Sequence, residues 1–99
     1  MLEWKDVTSY SKGDTERKPR VLECELAPGI TIRVHKHIAW GEEFLLTSRK
    51  LEFDCTELNT ADLEEAKAVA LDRAYHRLTH LHEVLTRALR AIDEEQMGE

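Results

Sequence analysis

The sequence predicts an α+β fold in which an antiparallel sheet of four strands, or of five, precedes one long C-terminal helix. Short segments of alternating hydrophobicity, separated by turn residues, occupy residues 3–55. Residues 61–95 contain neither Gly nor Pro and can form a single helix. With 99 residues, 41% of them apolar, the chain can bury the core of one small domain, residues 1–99.

The first two strands are predicted from residue type and alternation. Residues 4–11 are rich in β-branched and aromatic side chains, which favour a first strand. Between Arg20 and Leu26, three apolar residues from Leu22 onward alternate with Glu23 and Glu25, and this period of two indicates a second strand with one buried face. Pro28 and Gly29 match the central positions of a type II turn, so we expect a tight hairpin into the third strand.

The third strand has an apolar face and a polar face. Ile30, Ile32 and Val34 share the first. The polar face carries Thr31, Arg33, His35 and His37. Residues 44–48 indicate a fourth strand, although their apolar run does not alternate cleanly. Residues 51–55 alternate again and form either a fifth short strand or an extended crossing.

The predicted helix has a clear N-terminal cap and is longer than the sheet on which it packs. Asp62 followed by Glu65 fits a capping box, with Thr60 as the rival cap. Residues 61–95 as one helix would span about 50 Å, whereas four strands offer a surface of roughly 20 to 25 Å. About half of the helix should therefore extend beyond the sheet.

A heptad repeat accounts for this extension. Small residues in the first half of the helix let it lie close to the sheet. Apolar residues then recur with heptad spacing and predict an oligomer interface at Leu71, Ala74, Leu78, Leu81, Leu85, Ala88 and Ile92. In the alternative, the helix breaks near Thr79 or Thr86 and folds back on its own domain.

Charge and composition restrict the partners. The formal net charge of -6 argues against a general polyanion binder. A basic loop and the polar sheet face nevertheless supply candidate residues for a ligand or partner. These are Lys12, Arg17, Lys18, Arg20, Arg33, His35, His37 and Trp40.

No catalytic signature is present. The sequence lacks phosphate-binding and dinucleotide-binding glycine loops, a nucleophile elbow and a Cys-x-x-Cys pair. We expect no enzymatic activity and no cofactor, and we interpret Cys24 and Cys55 as small buried hydrophobes. Sequence does not reveal proximity, so a cysteine nucleophile with His35 or His37 as its base stays open.

Metal binding and membrane insertion are both disfavoured. His76 and His80 have the i, i+4 spacing of metal ligands, but their phase places them on a solvated face, so no metal is expected. The sequence has neither a secretory signal nor an apolar run of about 20 residues. We therefore expect a cytoplasmic protein.

Three stretches, residues 9–20, 34–38 and 62–67, together resemble small uncharacterised proteins of phages and prophages. That resemblance implies a role in phage–host conflict, such as binding and blocking a host protein, and it implies no chemistry. The order of strands and helix is also similar to the dimeric single-stranded-DNA-binding coactivator fold. That family's DNA-contacting motif is missing, and this chain is acidic where those domains are basic.

These observations predict a non-catalytic, homo-oligomeric binding protein, a homodimer or a higher assembly, with a protein partner of unknown identity. Two alternatives remain. One is a single-stranded nucleic-acid-binding protein that uses the open sheet face and the basic loop, and the other is an oligomer that binds a small ligand or a metal.

Overall fold

A computed structural model describes residues 2–9, 19–36 and 41–98. They form a five-strand antiparallel sheet followed by one long helix, which confirms the predicted fold class and the fifth strand. The elements are β1 (Trp4–Asp6), β2 (Val21–Ala27), β3 (Ile30–His35), β4 (Leu45–Ser48), β5 (Phe53–Glu57) and α1 (Leu63–Met97). The strands lie in chain order, so each one pairs with its neighbours in sequence.

Strand β1 ends earlier than the predicted segment 4–11. The Asp6 carboxylate accepts a hydrogen bond of 3.0 Å from the Thr8 backbone N–H. The Thr8 hydroxyl in turn accepts from the backbone N–H groups of Arg20 and Val21, at 2.9 Å each. These side-chain bonds replace ladder bonds and turn the chain away from the sheet. Residues 10 and 11 of the prediction lie outside the described residues.

The hairpin between β2 and β3 matches the expected alternation. Gly29 has a φ of 85°, the left-handed conformation that a type II turn requires at this position. Leu22 pairs with Val34, and Cys24 pairs with Ile32. All four side chains are buried, and Cys24, Ile32 and Val34 belong to the core that the helix covers.

The irregular apolar run at β4 reflects burial on both faces of the sheet. Phe44, Leu45 and Leu46 are buried in succession. Leu46 belongs to the core under the helix, whereas Leu45 lies opposite His35 in the register and therefore points to the other face. A run that is buried on both sides has no alternation to detect.

Helix α1 begins at the predicted cap and does not break. The Asp62 carboxylate accepts a 2.9 Å hydrogen bond from the Glu65 N–H, and the Thr60 hydroxyl supports the cap by accepting from the Asp62 N–H. The hydroxyls of Thr79 and Thr86 bond to carbonyls one turn back within the continuous helix. The alternative of a helix that breaks and folds back is therefore wrong.

The sheet covers only the first half of α1. Ala66, Ala70 and Ala74 are buried against it, and Leu81 is the last helix residue that packs on the core. Residues 82–98 are all exposed, which confirms the predicted extension. The molecule measures 68 × 24 × 24 Å, and its radius of gyration of 17.8 Å exceeds the roughly 13 Å expected of a compact domain of this length.

Among the helices that the described ranges contain, none is both long and apolar enough to cross a membrane.

Candidate functional site

Two surfaces carry the predicted functional residues. The first is the sheet face opposite the helix, here called the open face. It comprises Lys5, Glu23, Glu25, Thr31, Arg33, His35, Leu45, Thr47 and Cys55. The second is the part of α1 beyond the sheet, residues 82–97, here called the distal helix.

An ion pair crosses the middle of the open face. Arg33 and Glu23 lie opposite each other in the register of β2 and β3. The Arg33 Nε–H donates to the Glu23 carboxylate at 2.9 Å, and a second guanidinium N–H donates to the same oxygen. Lys5 lies on the other side of Glu23 in the register. The Arg33 charge is thus balanced within the sheet, which lowers its attraction for an external anion.

A polar chain of three side chains links β3, β4 and β5. The His35 Nε2 lies 2.8 Å from the Thr47 hydroxyl oxygen. That oxygen accepts from the Cys55 backbone N–H at 3.1 Å and lies 3.9 Å from the Cys55 sulfur. The structure therefore connects a histidine to a thiol through a hydroxyl, and the geometry can orient the imidazole and the thiol.

The two cysteines differ in their burial. Cys24 is buried as predicted, and burial raises the pKa of its thiol, which disfavours the nucleophilic thiolate. Cys55 was predicted to be buried, but it is only half-buried. Its φ of 47° is left-handed, and this irregularity within β5 moves the residue out of the alternation that the sequence suggests.

Of the basic residues in the predicted basic loop, the structure describes Arg20 alone. Lys12, Arg17, Lys18, His37 and Trp40 lie outside the described residues. Arg20 is half-buried, and its guanidinium donates to the Ser9 carbonyl at 3.2 Å. This bond joins the segment after β1 to the start of β2. The role of Arg20 in binding a ligand or partner stays a prediction.

A groove of about 620 Å³ lies beside β1 on the open face. Its lining includes Glu3, Glu23 and Glu25, with Lys5 as its one basic residue. Acidic side chains therefore dominate this groove, which makes it a poor site for a phosphate or another anion.

A second groove lies between α1 and the edge strand β5, and we call it the basic groove. It is lined by Phe53, Arg73, His76, Arg77 and His80. The Arg77 guanidinium lies 4.9 Å from the centre of the Phe53 ring. Such cation–π contacts hold an arginine without neutralising it. Within the described ranges, neither Arg73 nor Arg77 forms an ion pair with a carboxylate.

The basic groove contains the two weak metal candidates. His76 contacts the Asp72 carboxylate at 3.5 Å, and both side chains are exposed. His80 lies on the same exposed face of the helix. Within the part of the chain that the structure describes, no three His, Cys, Asp or Glu side chains are grouped as metal ligands.

The predicted oligomer interface divides into two parts. Ala74 is buried by the chain's own sheet, and Leu71, Leu78 and Leu81 pack partly on the core. Leu85, Ala88 and Ile92 are exposed on the distal helix. The exposed fractions of its large apolar side chains are 44% for Val84, 61% for Leu85, 64% for Leu89 and 54% for Ile92.

Sequence reasoning did not identify Thr47 or the contact between Phe53 and Arg77. Thr47 lies in a strand without alternation, so its face was not assigned. Phe53 lies at the start of β5 and Arg77 lies within α1, so they are distant in sequence and no local spacing relates them.

Comparison with protein-family models, with curated proteins and with solved structures finds no match to this chain.

Proposed function

We propose that this protein is a non-catalytic, homo-oligomeric interaction protein that assembles through its distal helix. The observation that carries the proposal is the exposed apolar stripe of the distal helix, which contains Leu85, Leu89 and Ile92. Contiguous apolar surface of this kind marks an interaction site, because leaving it in water costs free energy.

The length of the distal helix supports the same proposal. Residues 82–97 extend the helix by about 24 Å beyond its last contact with the core. A helix of this length is only marginally stable in water without tertiary contacts. A second copy of the chain offers an identical stripe, and covering both stripes stabilises both helices.

The open face is the proposed surface for an external protein partner. Its charged residues carry both signs, and Arg33 is paired with Glu23. Mixed, internally balanced charge suits a polar protein surface better than a polyanion. Nucleic-acid binding therefore ranks lower, and a host protein bound by a phage-encoded factor is the partner class that fits the sequence resemblance.

The experiment is size-exclusion chromatography with light scattering on the wild type and on the double variant Leu85→Glu, Leu89→Glu. We expect the wild type to be an oligomer and the variant to be monomeric at the same concentration. Two buried carboxylates facing an apolar partner carry a desolvation cost that the interface does not offset.

The matched control is Thr79→Glu, Thr86→Glu, which adds the same charge on the opposite, polar side of α1. It should remain oligomeric. A wild type that is monomeric at all accessible concentrations contradicts the proposal, as does a double variant that keeps the wild-type mass. Circular dichroism of both variants checks that the helix remains folded.

A further inference from the structure

We infer that the basic groove binds a small oxyanion, a phosphate group carried by a small organic molecule. The groove is lined by side chains of α1 and β5 from one chain. It ends at His80, whereas the distal helix begins at residue 82. The site is therefore complete within a single chain and does not depend on the homo-oligomer proposed above.

Four basic side chains form one stripe along α1. Their spacing of i, i+3, i+4 and i+7 places them on the same face of the helix. They are Arg73, His76, Arg77 and His80, and Phe53 of β5 lies beside them in the groove. The stripe therefore brings two guanidinium groups and two imidazole rings, all able to donate hydrogen bonds, to one concave surface.

The charges of the two arginines are not balanced by carboxylates of the described residues. Arg73 and Arg77 are half-buried, and no acidic side chain of the described ranges lines the groove. No ion pair within those ranges includes either arginine. Asp72 contacts His76 at 3.5 Å and lies outside the lining. Because like charges one turn apart destabilise a helix, a bound anion would relieve the repulsion between the two arginines.

The Phe53 ring holds Arg77 in position. Phe53 packs against the core, and the Arg77 guanidinium lies 4.9 Å from the centre of its ring. A cation–π contact of this kind uses the face of the ring and leaves the N–H groups of the guanidinium available as donors. A donor that is already held loses less conformational entropy when a ligand binds. Arg77 is therefore partly organised for binding before the anion arrives.

Two arginines suit a phosphate group better than a carboxylate. A single guanidinium satisfies both oxygens of a carboxylate with two parallel hydrogen bonds. A phosphate monoester carries a charge of about −1.5 to −2 near neutral pH and presents three acceptor oxygens. Arg73 and Arg77 lie about 6 Å apart along the helix axis, so their long side chains can reach the same phosphate group.

The size of the groove favours a small molecule. Its volume of about 300 Å³ lies at the lower end of the range of roughly 300 to 1,000 Å³ that small-molecule sites occupy. The formal net charge of -6 disfavours a long polyanion, whose further phosphate groups would meet the acidic surface of the chain. A small phosphorylated molecule therefore fits this groove better than a nucleic acid does.

NMR titration of the isotope-labelled chain with phenyl phosphate tests the site, and benzoate serves as the carboxylate comparison. We expect phenyl phosphate to shift the amide signals of Phe53 and of residues 73–80 in a saturable manner. Benzoate has the same ring but a single charge, so its dissociation constant should be about tenfold higher. Absence of saturable shifts in this region, or equal affinity for the two probes, would overturn the inference.

Arginine variants test which side chains hold the phosphate. Arg73→Gln leaves the contact between Arg77 and Phe53 in place. It should raise the dissociation constant for phenyl phosphate by about tenfold, because charge-assisted hydrogen bonds are lost, and Arg77→Gln should have a similar effect. The matched control Arg87→Gln, Arg90→Gln removes two exposed charges of the distal helix. It should bind to within about twofold of the wild type, since distant exposed charges are screened. The amide spectrum of each variant shows whether it is folded.

Three other results would contradict a phosphate site within one chain. Equal weakening by the Arg87→Gln, Arg90→Gln control would show that overall charge, and not the groove, attracts the probe. Tighter binding of a single-stranded oligonucleotide at the same residues would make the ligand a polymer. The variant Leu85→Glu, Leu89→Glu should bind phenyl phosphate as the wild type does. Loss of binding in that variant would show that the site needs a second copy of the chain.

Discussion

At the level of single residues, the two cysteines lie in different chemical environments within one small sheet. Cys24 is in the core between β1 and β3, and burial raises the pKa of its thiol. Cys55 contacts the Thr47 hydroxyl on the open face and is half-buried. Alkylating reagents should therefore distinguish them, because only the accessible thiolate reacts.

The Cys24 thiol should make stability fall at alkaline pH. Its pKa in the folded state is raised above its ordinary value of 9.0, so the folded chain keeps the proton that the unfolded chain releases. The contribution of this thiol to the free energy of unfolding is fully present below the pKa of the unfolded thiol, and it is lost as pH rises through the pKa of the folded state. Urea unfolding between about pH 7 and about pH 10 measures this loss.

The comparison variant is Cys24→Ala, whose free energy of unfolding should be lower at neutral pH but should decline less steeply with alkaline pH. The control Cys55→Ser should retain the wild-type decline. Equal slopes for the wild type and Cys24→Ala would show that Cys24 does not contribute to the alkaline loss.

At the level of secondary structure elements, the start of α1 depends on one side chain. Asp62 accepts from the Glu65 N–H and also places a negative charge at the positive end of the helix dipole. Asp62→Ala should lower the free energy of unfolding by about 1 kcal/mol, whereas Asp62→Asn keeps the capping oxygen and should cost less. Thermal unfolding of the two variants, followed by circular dichroism, distinguishes the contribution of the capping hydrogen bond from that of the negative charge.

The elements that sequence predicts well are those with local signals. The cap at Asp62, the turn at Gly29 and the buried alanines of α1 all follow from spacing or residue type, and the structure confirms them. Strand β1 was predicted too long because the Thr8 hydroxyl bonds to Arg20 and Val21, which are distant in sequence. No local pattern contains that information.

The candidate site was predicted less completely than the fold. The polar face of β3 was found from alternation, including Arg33 and His35. Their partners Glu23 and Thr47 depend on strand register, which alternation alone does not determine. The basic groove depends on the placement of Phe53 beside α1, a tertiary contact that no spacing in the sequence encodes.

At the level of the whole molecule, the chain-order arrangement of the strands has a consequence for how the protein folds. Because β1 to β5 pair only with sequence neighbours, each pairing closes a local loop, from two residues between β2 and β3 to 14 residues between β1 and β2. Short loops lose little chain entropy, so the sheet should form quickly and in local steps. The long-range event is the docking of α1 onto β3 through its alanine stripe. The transition state for folding should therefore be reached when that helix meets a sheet that is already largely formed.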